Sequence, residues 1–269
     1  MKGKFLVVLL GVVFCLCVFP IESKFVHGEE WTAEQKAQSY IVIEFVVKSG
    51  KIADFEAAYK ESLDELKKQG YYLPIYVYSM EFPHYYAFYP VPLYSGLDDF
   101  FAAYVDYVQK MGIEKLQKIH EREYASIEYY KMFLIRYRED LSLHPEIPKY
   151  KPEQERFTHW GLCYIQPGKE QKFEESFKAI KSMYSEKNLK DIDYGWDMYV
   201  GDIGTEMPFY FFSEYGKSKA HFWTQAEKRH EAVGQELSNL FDGVLASCRE
   251  FVFKGGQFRP DLSYIPKEK

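Results

Sequence analysis

The chain has 269 residues, enough for one large domain or two ordinary ones. Hydrophobic residues make up 47% and charged residues 28%, which is typical of a globular protein and excludes a disordered one. The net charge is −6 and the sequence has no basic run, so nucleic acid is not an expected partner. Aromatic residues reach 19%, with 24 Tyr and 22 Phe, which favours strands around a wide aromatic interior.

The N-terminal residues have the pattern of a targeting segment. Lys2 and Lys4 precede an apolar run from Phe5 to Phe19, and polar residues follow it. This order is typical of a secretory signal peptide, which we predict at 1–23, with a leader segment at 24–38. The alternative is an uncleaved anchor, although the run is shorter than the ~20 residues of a bilayer span. We therefore expect an exported protein, periplasmic or extracellular, with no membrane attachment after cleavage.

Two short motifs occur twice in the remaining chain. Gly50-Lys51 is followed by Phe55-Glu56, and Gly168-Lys169 is followed by Phe173-Glu174, each 118 positions after its counterpart. In both copies an alternating apolar strand precedes the turn and an amphipathic helix follows it. A second pair of motifs closes the halves, Arg138-Glu139-Asp140-Leu141-Ser142 and Arg259-Pro260-Asp261-Leu262-Ser263. The chain is therefore predicted to be an internal duplication.

Periodicity predicts the same order of elements in each half. The first half has strands at 39–48, 71–82, 84–89 and 132–137, a helix after Gly50 and a second helical region that Gly112 interrupts. The second half has strands at 159–166, 193–202, 207–214 and 249–253, a helix at 169–187 and a second helix that Gly234 is expected to interrupt. We predict repeats at 39–143 and 157–264, joined by a Pro-rich linker at 144–156 and followed by a tail at 265–269.

The order of elements in each half is β-α-β-β-α-β, the split βαβ arrangement of ferredoxin-like folds. Such a unit covers one face of its sheet with helices and leaves the other face bare. Two copies in one chain can bury their bare faces against each other at a high effective concentration. The predicted fold is therefore α+β, with two fused ferredoxin-like repeats packed sheet to sheet.

The Gly-Lys-x-x-x-Phe-Glu turn, this order of elements and the fusion of two copies resemble the dimeric α/β-barrel superfamily. NIPSNAP-like, EthD-like and antibiotic-monooxygenase-like proteins belong to it, and the resemblance covers residues 39–264. It implies a pseudo-dimeric α/β barrel with a cavity between the two sheets. It does not imply one chemistry, because members include cofactor-free oxygenases, isomerases, haem enzymes and proteins with no known activity.

The sheet face turned away from the helices is expected to line the cavity. The candidate ligand-binding residues on it are Glu44, Tyr76, Tyr78, His84, Arg136, Trp160, Asp197 and Tyr199; strand parity is ambiguous for His84 and Arg136. Aromatic side chains with a few polar groups are the usual lining of a site for a small organic ligand. The alternative is that these side chains only join the two sheets, with Glu44 and Arg136 paired across the seam.

Two cysteines, Cys163 and Cys248, remain after removal of the predicted signal peptide. They align with apolar residues of the first half, which favours two small core residues. In an exported protein they could instead form a disulfide between the first and last strands of the second half.

The sequence contains no catalytic motif of the common hydrolase, metalloprotease or redox types. We therefore predict a binding or structural module that holds a small hydrophobic molecule, with no metal and no cofactor. The alternatives are a cofactor-independent monooxygenase or isomerase using a Tyr/His/Glu cluster, and a haem protein, since some two-repeat relatives bind haem through a second-half histidine. His230, on the apolar stripe of a helix, is more simply a core histidine. Whether the protein assembles further is left open.

Overall fold

The computed structural model describes residues 39–81, 83–91, 95–144, 157–187, 189 and 192–266. The predicted signal peptide, the leader and positions 145–156 of the predicted linker lie outside the described residues. Within the described part of the chain, no helix has both the length and the apolar composition needed to cross a membrane.

The structure confirms the predicted order of elements. The first half consists of β1 (Ser39–Val47), α1 (Ile52–Lys68), β2 (Tyr76–Met80), β3 (His84–Val91), α2 (Ser95–Met111), α3 (Ile113–Ser126) and β4 (Ile127–Tyr137). The second half consists of β5 (Phe157–Ile165), α4 (Glu170–Glu186), β6 (Asp197–Gly201), β7 (Phe209–Gly216), α5 (Lys219–Leu245) and β8 (Cys248–Phe258). β2 and β6 are shorter than predicted. The residues just before them, Ile75 and Trp196, form single bridges with Tyr264 and Leu143 and no continuous ladder.

The repeated glycines sit where the chain must turn sharply from strand to helix. Gly50 and Gly168 have φ values of +78° and +85°, a left-handed conformation that favours glycine over residues with a Cβ. The helix that follows each turn buries one apolar stripe on the sheet. In α1 the stripe includes Phe55, Tyr59 and Leu63, spaced by one helical turn.

The eight described strands form one closed barrel in the order β1-β3-β2-β8-β5-β7-β6-β4. Two antiparallel pairs join the halves, β2 with β8 and β4 with β6. Closure leaves no strand with an unpaired edge, because every strand has a neighbour on each side. The fold is thus α+β, with two ferredoxin-like halves in one barrel.

The closing motif of each half crosses to the other half. Arg138 Nη1 lies 2.6 Å from Glu174 Oε1 on α4, and Arg259 Nη1 lies 2.5 Å from Glu56 Oε1 on α1. Each carboxylate also accepts a hydrogen bond of 2.7 Å from a tyrosine of its own half. The two repeated motifs are therefore the two sides of reciprocal ion pairs that hold the halves together.

The serines and leucines of the closing motifs complete the same exchange. Ser142 Oγ accepts a hydrogen bond from the backbone N–H of Met198 at 2.8 Å, and Ser263 Oγ accepts one from Val77 at 2.9 Å. Leu141 and Leu262 are fully buried. Each closing motif thus extends the sheet of the other half and covers the apolar layer of that half.

The sheet separates two kinds of core. Inside the barrel, the buried residues are Val42, Met80, Tyr86, Phe88, Ile135, Trp160, Tyr199, Phe209 and Phe211. Between the sheet and the helices of the second half, the layer is filled by residues such as Phe173, Phe177, Trp196, Met198 and Phe212. The predicted aromatic interior is thus the inside of the barrel.

One predicted helix interruption is present and the other is wrong. Gly112 separates α2 from α3 and has a φ of +84°. Gly234 lies inside the continuous helix α5, where a Cβ would come within 2.8 Å of Nδ1 of His230. The second glycine therefore makes room for a ring on its own helix and does not break the helix.

Candidate functional site

The inward-facing polar residues lie at the two ends of the barrel. Neighbouring strands are antiparallel around the barrel, so β1 and β5 run in the same direction. Glu44 lies near the end of β1, with Tyr86 and His84 opposite it on β3. Asp197 begins β6 and therefore lies at the other end. The candidate site has two parts with different chemistry.

At the first end, four side chains form a hydrogen-bonded chain. His84 Nδ1 lies 2.8 Å from Glu44 Oε1, and the Tyr86 hydroxyl donates to the same oxygen at 2.7 Å. Lys254 Nζ donates to the Tyr86 hydroxyl at 3.0 Å. We call Glu44, His84, Tyr86 and Lys254 the polar chain.

Burial and hydrogen bonding act in opposite directions on the Glu44 carboxyl. Burial alone would raise its pKa, but hydrogen bonds from Tyr86 and His84 and the charge of Lys254 together lower the pKa below its ordinary value. Burial and the neighbouring carboxylate raise the pKa of Tyr86 far above the usual value for a phenol. At neutral pH, Glu44 is therefore a carboxylate and Tyr86 a neutral phenol.

The second half has no polar chain at the corresponding positions. In the first half, Glu44 pairs with Tyr86 across β1 and β3; in the second half, Leu162 pairs with Phe211 across β5 and β7. Phe209 stands where His84 does. An apolar set thus closes the equivalent part of the same barrel, so the fold does not need the polar chain.

Aromatic rings surround the polar chain. Trp160 is buried, and its ring centroid lies 5.0 Å from Tyr86, 5.7 Å from Tyr78, 5.6 Å from Phe88 and 5.5 Å from Phe211. These spacings are those of edge-to-face and tilted aromatic pairs. His84 remains partly exposed, with 25% of its side chain accessible. The polar chain therefore links solvent to an aromatic interior.

At the second end, Asp197 is the polar centre. The Tyr215 hydroxyl donates to Asp197 Oδ2 at 2.7 Å, and His144 Nε2 lies 3.3 Å from Asp197 Oδ1. The hydrogen bond to Asp197 raises the pKa of His144. Tyr199 lies two residues further along the inward face and stacks on Phe211, with ring centroids 4.6 Å apart.

Arg136 is the candidate residue that the structure places away from the barrel interior. Its neighbour Ile135 is fully buried inside the barrel, so alternation turns Arg136 outward. Arg136 Nε lies 3.0 Å from Asp202 Oδ2, and its side chain is 43% exposed. The pairing of Glu44 with Arg136 across the seam is therefore not formed, because the two side chains lie on opposite faces of the sheet. The other seven candidates are inward-facing: Glu44, Tyr76, Tyr78, His84, Trp160, Asp197 and Tyr199.

Sequence reasoning missed Tyr86 and Lys254. The predicted last strand ended at Phe253, whereas β8 continues to Phe258 and pairs Lys254 with Trp160. The equivalent pair in the first half is Phe133 with Val42. The sequence did offer one indication of a site residue here: Lys254 is charged, whereas the matching residue of the first half, Phe133, is aromatic.

Cys163 and Cys248 are both free thiols in the structure, and their sulfur atoms are hydrogen-bond neighbours. Burial raises the pKa of Cys163, and the hydrogen bond from Cys163 lowers the pKa of Cys248. Both cysteines face the apolar layer beneath the helices of the second half. The disulfide remains a prediction that this proximity permits.

The second half does not offer a fitting site for haem under its helices. That layer is filled by its own buried side chains, including Phe177, Trp196 and Phe212. The ring of His230 packs against Gly234 of the same helix. Within the described residues, no group of three or more His, Cys, Asp or Glu side chains could hold a metal ion.

A closed barrel of two βαββαβ halves, with an aromatic interior and polar ends, defines the dimeric α/β-barrel fold, here with both halves in one chain. The chain is similar to the solved structure of an anthrone oxidase-like protein, with a TM-score of 0.61 and 12% identity over 88% of this chain and 97% of that one. It is also similar to a proposed monooxygenase from Lactobacillus acidophilus (TM-score 0.51, 6% identity, 86% and 97% covered). A third is a proposed monooxygenase from Fusobacterium nucleatum (TM-score 0.52, 10% identity, 82% and 92% covered). No protein-family model and no curated protein matches the chain. These likenesses establish the fold.

Proposed function

We propose that the barrel binds a small aromatic or hydrophobic molecule at the end that holds the polar chain. The observation that carries this proposal is the hydrogen-bonded set of Glu44, His84, Tyr86 and Lys254 inside an aromatic barrel, with Glu44 and Tyr86 buried. Buried polar groups lower stability unless they are fully paired, and the second half has apolar residues at the equivalent positions of the barrel. A ligand accounts for a polar group that the fold does not require.

The unused hydrogen-bonding capacity of the chain indicates the kind of ligand. The Tyr86 hydroxyl donates to Glu44 and accepts from Lys254, so its proton is already committed. His84 uses Nδ1 toward Glu44, which leaves Nε2 as an acceptor. Lys254 has further ammonium protons. An aromatic ligand with a hydroxyl group could donate to His84 Nε2 and accept from Lys254.

The same geometry supports a second candidate, a cofactor-independent oxygenase. A carboxylate that holds Nδ1–H of a histidine orients Nε2 as a general base. Removal of a proton from an activated CH₂ group would give a carbanion that reduces O₂, so that CH₂ and O₂ become C=O and water. The similar structures include an anthrone oxidase-like protein and two proposed monooxygenases, which favours this chemistry over isomerisation.

Equilibrium dialysis with 2-naphthol and with naphthalene tests the binding proposal. We expect 2-naphthol to bind about tenfold more tightly, the value of one well-placed hydrogen bond. The quadruple variant Glu44→Leu, His84→Phe, Tyr86→Phe, Lys254→Phe places at the polar chain the apolar residue types found at the matching positions, Leu162, Phe209, Phe211 and Phe133; it should fold and lose this preference. Asp197→Asn, at the other end of the barrel, is the matched control and should keep it. Equal binding of both probes, or an unaffected quadruple variant, would refute the site.

Oxygen consumption with anthrone as the probe separates the two candidates. Catalysis should form anthraquinone with one O₂ consumed per molecule and should be lost in His84→Gln while 2-naphthol binding changes less. Binding without oxygen consumption supports the binding module alone. An absorption spectrum of protein purified from its own host tests the haem alternative, because a strong Soret band would overturn both candidates.

A further inference from the structure

The end of the barrel opposite the polar chain has a carboxylate that the proposed function does not use. Asp197 begins β6 and pairs with Ser213, which in turn pairs with the buried Trp160. Residues directly opposite each other on paired strands share a face, so Asp197 faces the barrel interior. Its side chain is 21% exposed, so the carboxylate is accessible to solvent at this end.

Asp197 is less strongly paired than other carboxylates of similar exposure. The side chains of Glu56, Glu174 and Glu214 are 22%, 22% and 21% exposed, and each has an arginine nitrogen within 3.4 Å. Among the described residues, no lysine or arginine lies within ion-pair distance of Asp197. Its basic neighbour is His144, whose Nε2 lies 3.3 Å from Oδ1. The carboxylate is therefore open to a better cationic partner.

The contact between His144 and Asp197 is long, and the histidine has a closer partner. Nε2 of His144 lies 2.9 Å from the Tyr137 hydroxyl, and the histidine side chain is 59% exposed. The other carboxylate oxygen, Oδ2, accepts a hydrogen bond of 2.7 Å from Tyr215. A cationic donor could therefore replace His144 at Oδ1 and leave the Tyr215 bond in place.

Tyrosine rings on three neighbouring strands stand beside this carboxylate. Tyr199, two residues after Asp197 on the same face of β6, meets Tyr137 of β4 and Tyr40 of β1, with ring centroids 5.7 Å apart in both pairs. The ring planes are inclined by 61° and 79°, so the rings form an angled wall. Tyr40 and Tyr137 are half-buried. The wall can therefore contact a ligand, and phenol rings attract organic cations.

The fold does not require a carboxylate at this position. The strand registers match Asp197 of β6 with Tyr76 of β2, and Tyr215 of β7 with Pro90 of β3. The opposite wall of the same barrel end thus has no charged residue where this wall has Asp197. The acidic group is a feature of one wall and not of the barrel plan.

We propose that Asp197 and the tyrosines beside it form a second ligand site, for a small organic ammonium of the arylalkylamine class. The ammonium would donate to Asp197 Oδ1 in place of His144, and Tyr40 and Tyr137 would pack against the carbon part of the ligand. A metal ion is a poorer fit, because it needs several ligands and the described residues contain no group of three His, Cys, Asp or Glu side chains that could hold one. This assignment does not depend on ligand binding at the polar chain.

Isothermal titration calorimetry at pH 7 with 2-phenylethylamine and 2-phenylethanol tests the site in the intact protein. The two probes share a ring and a chain, and the ammonium of the first is replaced by a neutral hydroxyl in the second. The amine should bind about tenfold more tightly, the combined effect of one ion pair and one cation–aromatic contact. Equal affinity for the two probes, or no binding of the amine, would overturn the proposal.

Three single variants separate this site from general attraction of cations. Asp197→Asn keeps an acceptor for Tyr215 and should remove the preference for the amine. His144→Ala removes the internal competitor and should tighten amine binding about threefold, with 2-phenylethanol unchanged. Glu139→Gln, which removes an exposed carboxylate close to His144 in the chain, is the matched control and should change neither affinity.

The gain in His144→Ala cannot come from a folding defect, so it keeps the test valid if Asp197→Asn is unstable. A preference that survives Asp197→Asn, weaker amine binding in His144→Ala, or loss of the preference in Glu139→Gln would each overturn the assignment. The quadruple variant of the polar chain should still prefer the amine. Its loss of 2-naphthol binding is read separately, so one site can fail without the other.

Discussion

Replacing Glu123 with Gln should stabilise the protein at high pH and have little effect at low pH. The folded chain raises the pKa of this carboxyl from the ordinary 4.5 to about 7, because burial favours the neutral form. A group raised in this way adds stability that is fully present below the unfolded value and is lost as the pH rises through the folded value. The difference between the two pKa values corresponds to about 3 kcal/mol.

Urea denaturation at half-unit intervals between pH 4.5 and 8 measures this effect as a difference between wild type and Glu123→Gln. The free energy of unfolding of the wild type should fall by about 3 kcal/mol relative to the variant over this range. Glu65→Gln serves as the control. Hydrogen bonds from Lys115 and Lys68 lower the pKa of Glu65 below 4.5, so the advantage of the wild type over that variant is complete at the start of this range and should stay constant across it. A difference between wild type and Glu123→Gln that does not depend on pH would refute the reasoning.

Three further outcomes follow from the contacts of the barrel. Arg138→Ala and Arg259→Ala should each lower the free energy of unfolding, measured by urea denaturation, by about 2–3 kcal/mol. Each variant leaves a half-buried carboxylate of the other half unpaired. A loss below about 0.5 kcal/mol would show that these ion pairs are not what joins the halves. The advantage of the wild type over Glu44→Gln should shrink as the pH falls below about 4.5, because the folded chain lowers the pKa of this carboxyl; an advantage that stays constant down to pH 3 would contradict the assignment. A thiol reagent should label Cys248 before Cys163, because Cys163 is fully buried. Mild oxidation should join the two cysteines in a disulfide, as seen by mass spectrometry without reduction. Labelling of both at equal rates would show that the apolar layer between the sheet and the helices of the second half opens.

The duplication is what made the fold predictable. Strand alternation and helix stripes are local patterns, and the second copy repeated each of them, so an error in one half could be checked against the other. The glycine turns at Gly50 and Gly168 fixed where each strand ends and each helix begins. The patterns could not show that the closing motif of each half packs against the other half. Arg138 meets Glu174 only after the chain has folded, although the recurrence of both residue types at fixed spacing was a sign of it.

The two buried carboxyls differ in how far the sequence could reveal them. Glu44 lies in an alternating apolar strand, where a charged residue on the inward face is conspicuous. Glu123 lies in the charged run Glu121-Arg122-Glu123, which has the appearance of a solvated helix face. Its spacing from Leu116 and Ile119 nevertheless places it on the buried stripe of α3. Helical periodicity alone is too coarse to distinguish these cases, since a rotation of one position moves a side chain from core to solvent.

The two halves share one backbone plan, yet they differ in residue type at the positions of the polar chain and of Glu123. Glu44, His84, Tyr86 and Glu123 belong to the first half, and the second half has Leu162, Phe209, Phe211 and Val244 at the matching positions. Burying polar groups opposes folding, so a barrel that served only as a scaffold would be more stable with the apolar set on both sides. The second half demonstrates that this set fits. The proposed binding site therefore lies mainly in the first half, Lys254 reaches it from β8 of the second half, and the reciprocal arginine pairs join the two halves.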